Sequence, residues 1–527
     1  MTVEYDLIVI GDSRAGAYAA VAAARLQARV ALVELQPQQI NWLSSGAMYT
    51  QALAQVGRVI QQVRDSPLMG VHVSTVDAPA QQPVLSVQIA EAMQWAKEVI
   101  DTCSEQISPV ILGSLGVDVI RGAGEFCRLP HLGFIVNNRR LRARAYLIAT
   151  GSRPEVPDID GVKAINYRTP ADIFQKGLQV GRLQVESSPE LEVGHSTLED
   201  ANQPSNLPPF NSQPSTHQLQ GSWVIIGGSP ISIELAQTLV RLNCEVTLVV
   251  DTSQILPKED LEASLLVQAQ LEAEGIRVFT ESPVTQVRRI DGKIWVQAGD
   301  QAIEADEIVL ATGYQPNVEG LNLEGVGVNY NRQGLVLNEK LQTTNPRIYA
   351  CGDVAGGYQL AHIAQYEASV ALKNALFFPV HKVDYRGIPW AIFCEPQVAR
   401  VGLTEAQARR RYGKDVFVVR QSFKTLDKAQ WLGETTGFCK MIGRQNGEIL
   451  GALIVGSEAT ELIGAIALAI RQKMKMKALA DLPLVSPTLS EIIHRTALEW
   501  QQQRHSRHKM LQNFWEGFFN LRRNWSS

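Results

Sequence analysis

Cysteine is scarce in this chain: six in 527 residues (Cys103, Cys127, Cys244, Cys351, Cys394 and Cys439), all far apart. No C-x-x-C pair and no His-rich spacing occurs, so a zinc module and a disulfide scaffold are excluded and no metal site is expected. Surplus charge is scarce too. The 49 basic and 53 acidic side chains leave a formal net charge of −4, with no basic domain or stripe for nucleic acid. No uninterrupted apolar run approaches the roughly 18 residues that a membrane-spanning helix needs. The N-terminus runs into a strand-like segment without a basic region or cleavage site, so no signal peptide is expected. These absences point to a soluble protein of a reducing compartment, the cytoplasm. At roughly 150 residues per domain, the length allows three or four domains.

What is present is a repeated β-turn-α-β order. Tyr5–Ile10 reads as a buried parallel strand, Ala15–Leu26 as an Ala-rich helix, and Val30–Val33 as a second strand ending at Glu34. The order recurs at Trp223–Ile226, Ser232–Leu242 and Val246–Val250. Between the two units, 186–220 holds five prolines, many Ser, Asn and Gln, and no Lys or Arg. Such a stretch cannot bury a core and reads as a disordered insertion or linker. From about Tyr385 strand-like and helical runs alternate (Gly451–Val455, Glu458–Arg471), as in an α+β domain.

A dinucleotide turn needs one glycine for the bend and a second where backbone meets pyrophosphate. A third permits close helix packing, and an acid some 20 residues on holds a ribose. In Gly11-Asp12-Ser13-Arg14-Ala15-Gly16, with Glu34 in register, Ser13 takes the second glycine's place. In Gly227-Gly228-Ser229-Pro230-Ile231-Ser232 both later glycines are Ser, and Val250 stands where the acid belongs, with Asp251 one position on. Weakened nucleotide binding and a nucleotide-free structural unit are both open at this second turn. Asp251 would repel a 2′-phosphate, which mildly favours NADH.

Further motifs follow in order: Ala149-Thr150-Gly151-Ser152-Arg153-Pro154, Ala311-Thr312-Gly313-Tyr314-Gln315-Pro316-Asn317, Ile348-Tyr349-Ala350-Cys351-Gly352-Asp353, Leu360-Ala361-His362-Ile363-Ala364, Arg400-Val401-Gly402-Leu403-Thr404-Glu405 and Pro487-Thr488-Leu489-Ser490-Glu491. On these residues the chain resembles the pyridine nucleotide–disulfide oxidoreductases, the flavoprotein family of dihydrolipoamide dehydrogenase and mercuric reductase. The resemblance implies an α/β fold: two doubly wound (Rossmann-like) dinucleotide-binding domains plus a C-terminal α+β dimerisation domain. The implied divisions are an FAD-binding domain, 1–160 and 314–384, and an NAD(P)-binding domain, 161–313, with the disordered insertion at 178–220. A dimerisation domain, 385–500, and a tail, 501–527, complete the chain. The implied FAD contacts are Gly11, Ser13, Gly16, Glu34, Gly46, Gln51, Gly124, Thr150, Gly151, Gly352, Asp353 and Ala361. Those for NADH or NADPH are Gly227, Ser229, Glu234, Val250 and Gly313. The helix expected near Leu360 would aim its N–H groups at the flavin and favour the anionic reduced form. His362 beside it reads as structural, and Cys351 as a packed core thiol.

The family's C-x-x-x-x-C redox pair is missing in register: Trp42-Leu43-Ser44-Ser45-Gly46-Ala47 puts Trp42 and Ala47 at the two positions. Gln51 replaces the lysine beside the flavin, which should lower the flavin potential, while its glutamate partner remains as Glu234. Ser486 replaces the catalytic histidine, so the accompanying Glu491 should have nothing to orient. No residue is therefore assigned a catalytic role. The expectation is a homodimeric FAD-dependent, diaphorase-like enzyme that takes hydride from NAD(P)H and passes electrons to an unknown non-disulfide acceptor such as a quinone. The alternative is a catalytically retired member that binds FAD or NAD(H) as a sensor or scaffold.

The last 27 residues differ again, with two Trp, three Phe and five basic residues against one acidic. On a helical wheel Leu511, Phe514, Trp515, Phe518, Phe519, Leu521 and Trp525 share one broad face, with Arg522 inside it. Two readings stand: a helix lying on the inner face of an anionic membrane, and a helix packed on the protein's own dimer surface.

Overall fold

The computed structural model describes residues 3–35, 42–71, 88–176, 221–507 and 509–525; the expected insertion at 178–220 falls outside them. The first unit opens with β1 (Tyr5–Ile10), α1 (Arg14–Arg25), β2 (Val30–Glu34) and α2 (Trp42–Asp65), and adds β3 (Asp118–Arg121) and β4 (Ala143–Ile148). The second holds β5 (Ser222–Ile226), α3 (Pro230–Arg241), β6 (Glu245–Val249), β7 (Arg277–Phe279) and β8 (Glu307–Leu310). The chain then returns to the first unit through β9 (Ile348–Ala350) and α4 (Ala361–Leu376). All strand pairs in both sheets are parallel, in the orders β9-β4-β1-β2-β3 and β7-β6-β5-β8.

Strands buried on both faces require near-continuous apolar runs, and Leu7–Ile10, Val30–Val33 and Trp223–Ile226 are all buried. The alanines of α1 have a packing cause. Ala15, Ala19, Ala20 and Ala23 share one cluster with Ala364, Ala368 and Ala371 of α4, so two helices lie close together over one sheet. α2 does something different. Tyr49, Ala52, Leu53 and Ile60 join the core of the second unit, against Ile233, Ala236 and Leu239 of α3. The helix that follows β2 is thus a shared wall between the first two units.

Element ends shift by one or two residues from the expectation. Ser13 caps α1, so the helix starts at Arg14. α3 starts at Pro230 rather than Ser232, because Pro at the first helical position has the helical φ built in and no N–H to satisfy.

The C-terminal unit is a five-stranded antiparallel sheet of β10 (Pro389–Ile392), β11 (Gln397–Gly402), β12 (Val416–Ser422), β13 (Phe438–Arg444) and β14 (Ile449–Gly456), in the order β10-β11-β14-β13-β12. Helices α5 (Ala459–Arg471) and α6 (Glu491–Arg507) close its core through Ile463, Ile466, Ile492, Ala497 and Trp500. A last helix, α7 (Lys509–Trp525), follows α6.

Candidate functional site

Doubly wound sheets bind ligands at the carboxyl ends of strands where the strand order reverses. In the first unit this point is the end of β1, between β2 and β4. Gly11 there has φ +103°, and a Cβ on it would lie 2.5 Å from the Ala149 carbonyl oxygen. A Cβ on Gly16 would lie 2.3 Å from the Gly11 oxygen, so the turn and helix meet backbone to backbone. Ser13 does not project from the turn: its Oγ accepts from the Gly16 N–H at 3.1 Å and caps α1. The serine therefore uses up one of the free N–H groups that make a helix start attractive to phosphate.

Around this turn the other expected residues gather. Thr150 Oγ1 donates to the Asn317 carbonyl at 2.7 Å, and Asn317 Nδ2 donates back to the Thr150 oxygen at 3.0 Å. This exchange joins the connection through Gly151 (φ +70°) to the one after β8. Ser152 Oγ donates to Asp353 Oδ2 at 2.8 Å; burial raises the pKa of Asp353 and the Ser152 bond opposes this. Gly352 N–H donates to Glu367 Oε2 at 2.8 Å and Tyr385 OH donates to Glu367 Oε1 at 2.7 Å, a pair of contacts with no signal in the sequence. Burial pushes Glu367 up to about 7. Ala361 begins α4 after an extended Leu360, and His362 Nε2 lies 2.7 Å from the Pro389 carbonyl, bridging α4 to β10. Glu34, buried at the end of β2, accepts from Arg121 Nε at 2.6 Å. Gly124 lies under Phe134, whose ring would be 2.5 Å from an added Cβ.

The second turn repeats the backbone but not the opening. Gly227 has φ +125°, and an added Cβ would lie 2.4 Å from the Ala311 oxygen. Ser229 Oγ and Ser232 Oγ lie 2.8 Å apart and both reach the Ala311 carbonyl, at 3.2 and 3.3 Å. The two hydroxyls satisfy each other inside the turn. Val250 is buried, and its Cγ1 would be 2.7 Å from a Cβ on Gly228. Asp251, the next residue, is exposed at the strand end. Gly313 (φ +142°) lies beside Glu155, whose Oε2 would be 3.7 Å from an added Cβ.

A cavity of about 260 Å³ lies where α2, α3 and the β10–β11 connection meet, and Gln51, Arg58, Glu234, Arg241 and Glu395 line it. Glu234 Oε1 accepts from the Phe393 N–H at 3.0 Å, and burial pushes its pKa up to about 7. Below it Arg241 donates to Glu274 through Nε and Nη2, at 2.8 and 2.9 Å, and to Glu395 through Nη1 at 2.5 Å. Arg58 pairs with Glu395 from the other side. Gln51 and Glu234 thus share one cleft. The ionic network beside them links residues too distant in sequence for any local pattern to reveal. Trp42, Gly46 and Ala47 fall in the first turns of α2, where the structure describes the backbone.

Residues 5–368 match the profile of the pyridine nucleotide-disulphide oxidoreductases, and residues 388–497 match the dimerisation domain of the same family. The chain belongs to this family. It is 30% identical over 506 residues to a mercuric reductase of Staphylococcus aureus, covering 95% of this chain and 83% of that one. It is 29% identical over 508 residues to a dihydrolipoyl dehydrogenase of Bacillus subtilis, covering 94% and 96%. Among solved structures it is similar in fold to the HOCl-induced flavoprotein disulfide reductase RclA of Escherichia coli, with TM-score 0.75, 22% identity and coverage of 94% and 99%. LpdA of Mycobacterium tuberculosis gives TM-score 0.76 at the same identity and coverage. Members of this oxidoreductase family bind FAD and NAD(P)H.

In the dimerisation domain of the family, Ser486 is exposed and joined to Pro487 by a cis peptide. Glu491 has partners of its own. The neighbouring Ser486 hydroxyl and the Arg495 guanidinium, whose Nη2 is 3.0 Å away, hold its carboxyl below the usual range. No helix among the described residues is long and apolar enough to cross a membrane.

Proposed function

We propose that this family member is an FAD-dependent NAD(P)H oxidoreductase that passes electrons to an acceptor other than a disulfide, a quinone being the class that fits best. One observation carries the reading: no cysteine precedes Cys103, so the segment from β2 through α2 contains no thiol at all. Without a thiolate there, no residue can attack a disulfide or relay electrons to one.

The first turn suits FAD. Its glycines keep side chains away from the start of α1, and Asp353 is a half-buried carboxylate with Ser152 on one oxygen. Gly11, Ser13, Gly16, Glu34, Gly124, Thr150, Gly151, Gly352, Asp353 and Ala361 are the proposed FAD contacts, joined by Gly46 and Gln51 from α2. Gly227, Ser229, Glu234, Val250 and Gly313 are those for the nicotinamide nucleotide. When bound, FAD supplies the two-electron carrier between NAD(P)H and the acceptor. The chain's own work is to orient. Asp353 offers an acceptor for a hydroxyl, the start of α4 offers uncapped N–H groups and a positive dipole end, and Glu234 holds a proton near neutral pH. We assign the FAD domain to 1–160 and 314–384, the NAD(P) domain to 161–313 and the subunit contact of a homodimer to 385–500.

The test is spectroscopic. Purified protein should be yellow, and anaerobic NADH or NADPH should bleach the flavin. Colour should return with a quinone but not with lipoamide or oxidised glutathione. Bleaching reversed by a disulfide substrate would overturn the acceptor assignment. The paired Ser229 and Ser232 hydroxyls favour a second reading, a retired member that binds nucleotides as a sensor or scaffold. An oxidised spectrum unchanged by both nucleotides would establish it in place of the enzyme.

A further inference from the structure

The last helix has no place in the electron path. The dimerisation-domain match ends at residue 497, so α7 lies beyond the part of the family that builds the subunit contact. Every described side chain from Asn513 to Trp525 is exposed, on the apolar and the polar side alike. Phe514, Leu521 and Trp525 are 62%, 61% and 87% exposed, values for side chains that touch no core. The rings meet one another instead. Trp515 stacks on Phe519 at 6.0 Å and meets Phe514 and Phe518 edge-on at 5.7 and 5.9 Å. The four rings form one aromatic patch over residues 514–519, in the middle of a 17-residue helix about 25 Å long.

Charge chooses the occupant. Residues 501–527 contain Arg504, Arg507, Lys509, Arg522 and Arg523 against Glu516, a net +4 on a chain whose total is −4, so the rest carries −8. Arg522 falls within the apolar arc near the C-terminal end, where a long stem lets the guanidinium reach water or phosphate while its neighbours are buried. An aromatic patch flanked by cations matches the boundary between acyl chains and anionic headgroups. A second protein surface would have to supply an apolar groove and acidic groups together. We infer that α7 is an interfacial anchor that lays this oxidoreductase on an anionic bilayer, with the rings in the acyl boundary and the arginines among phosphates. The anchor stands independently of the electron acceptor, since it rests on none of the nucleotide-site residues.

The test uses the full-length protein and sedimentation with vesicles of phosphatidylglycerol and phosphatidylcholine in equal parts, against vesicles of phosphatidylcholine alone. The full chain should pellet with the anionic vesicles, and raising salt from about 0.1 M to about 1 M should release most of it. A chain ending at Arg507 should stay in the supernatant with unchanged flavin content and dimer mass. Phe514→Ser with Phe518→Ser should cut the bound fraction about tenfold, and Arg522→Ala with Arg523→Ala, which halves the tail's net charge, should weaken the preference for anionic vesicles. Pelleting of the shortened chain as efficiently as the full one would overturn the inference. So would a full chain that ignores vesicles while the shortened one loses dimer stability, which would place α7 on the partner subunit.

Discussion

Arg241→Met is the sharpest test of how the units are held together. Arg241 is 5% exposed, sits on α3 of the second unit, and bonds Glu274 of that unit and Glu395 of the C-terminal one. Arg58 of α2 reaches the same Glu395, so one ionic cluster ties all three units. Burial pulls the Arg241 pKa down, and the two carboxylates push it back above the ordinary value. Met keeps the stem that packs on α2, where a Cβ on Gly57 would lie 3.2 Å from the Arg241 Cβ. What it removes is the charge, leaving the Glu274 side chain, 6% exposed, without its bidentate partner. An uncompensated buried charge costs about 3–5 kcal/mol. For a protein of this kind that is a fall of roughly 5–10 °C in the midpoint of thermal unfolding followed by tryptophan fluorescence. Adding Glu274→Met should recover more than half of the loss, because an apolar pair is close to neutral where a broken ion pair is not. A single variant within about 1 kcal/mol of the parent, or a double variant worse than the single, would refute the reasoning.

Three further outcomes follow. Burial raises the pKa of Glu367 from its ordinary value of 4.5 to about 7 in the fold, so the folded state binds the extra proton and stability falls as pH rises from about 4.5 to 7. Glu367→Gln should flatten that slope by roughly 3 kcal/mol across the window, read from urea midpoints at several pH values. Gly11→Ala and Gly227→Ala meet equally close carbonyls, yet the first should empty the protein of flavin while the second keeps the yellow colour and loses NAD(P)H-driven bleaching. Gln51→Lys places an ammonium in the cleft of Glu234, which should lower that carboxyl from about 7 by about 1–3 units. Infrared difference spectra of the carboxyl band against pH would show it, and an unmoved titration would separate the two side chains.

The nucleotide turns were legible because a glycine at a strand end has a local cause. Gly11 and Gly227 need positive φ, and the apolar runs before them match strands buried on both faces. Ser13 was legible only in part. Its place in the glycine pattern suggested a side chain near the pyrophosphate, whereas its equally readable aptitude as a helix cap decides where the hydroxyl goes. The ion pair of Glu491 went unread because its cation, Arg495, lies outside the motif that drew attention to it. The Arg58–Glu395–Arg241–Glu274 cluster leaves no trace in periodicity. Its members come from α2, α3, the end of the helix Leu261–Ala273 and the β10–β11 connection, and only the packing of all three units brings them together, which propensity and pattern do not encode.

The burial of the thiols has a practical side. Cys244, Cys351, Cys394 and Cys439 are packed in cores, with burial pushing their pKa values up, while Cys103 alone is exposed and Cys127 is half-covered. A maleimide at neutral pH should therefore find essentially one fast site, at the end of the helix Ile89–Ser104. The molecule comes with a ready handle for a dye or an electrode surface, and attaching through it leaves the nucleotide turns and the terminal helix untouched.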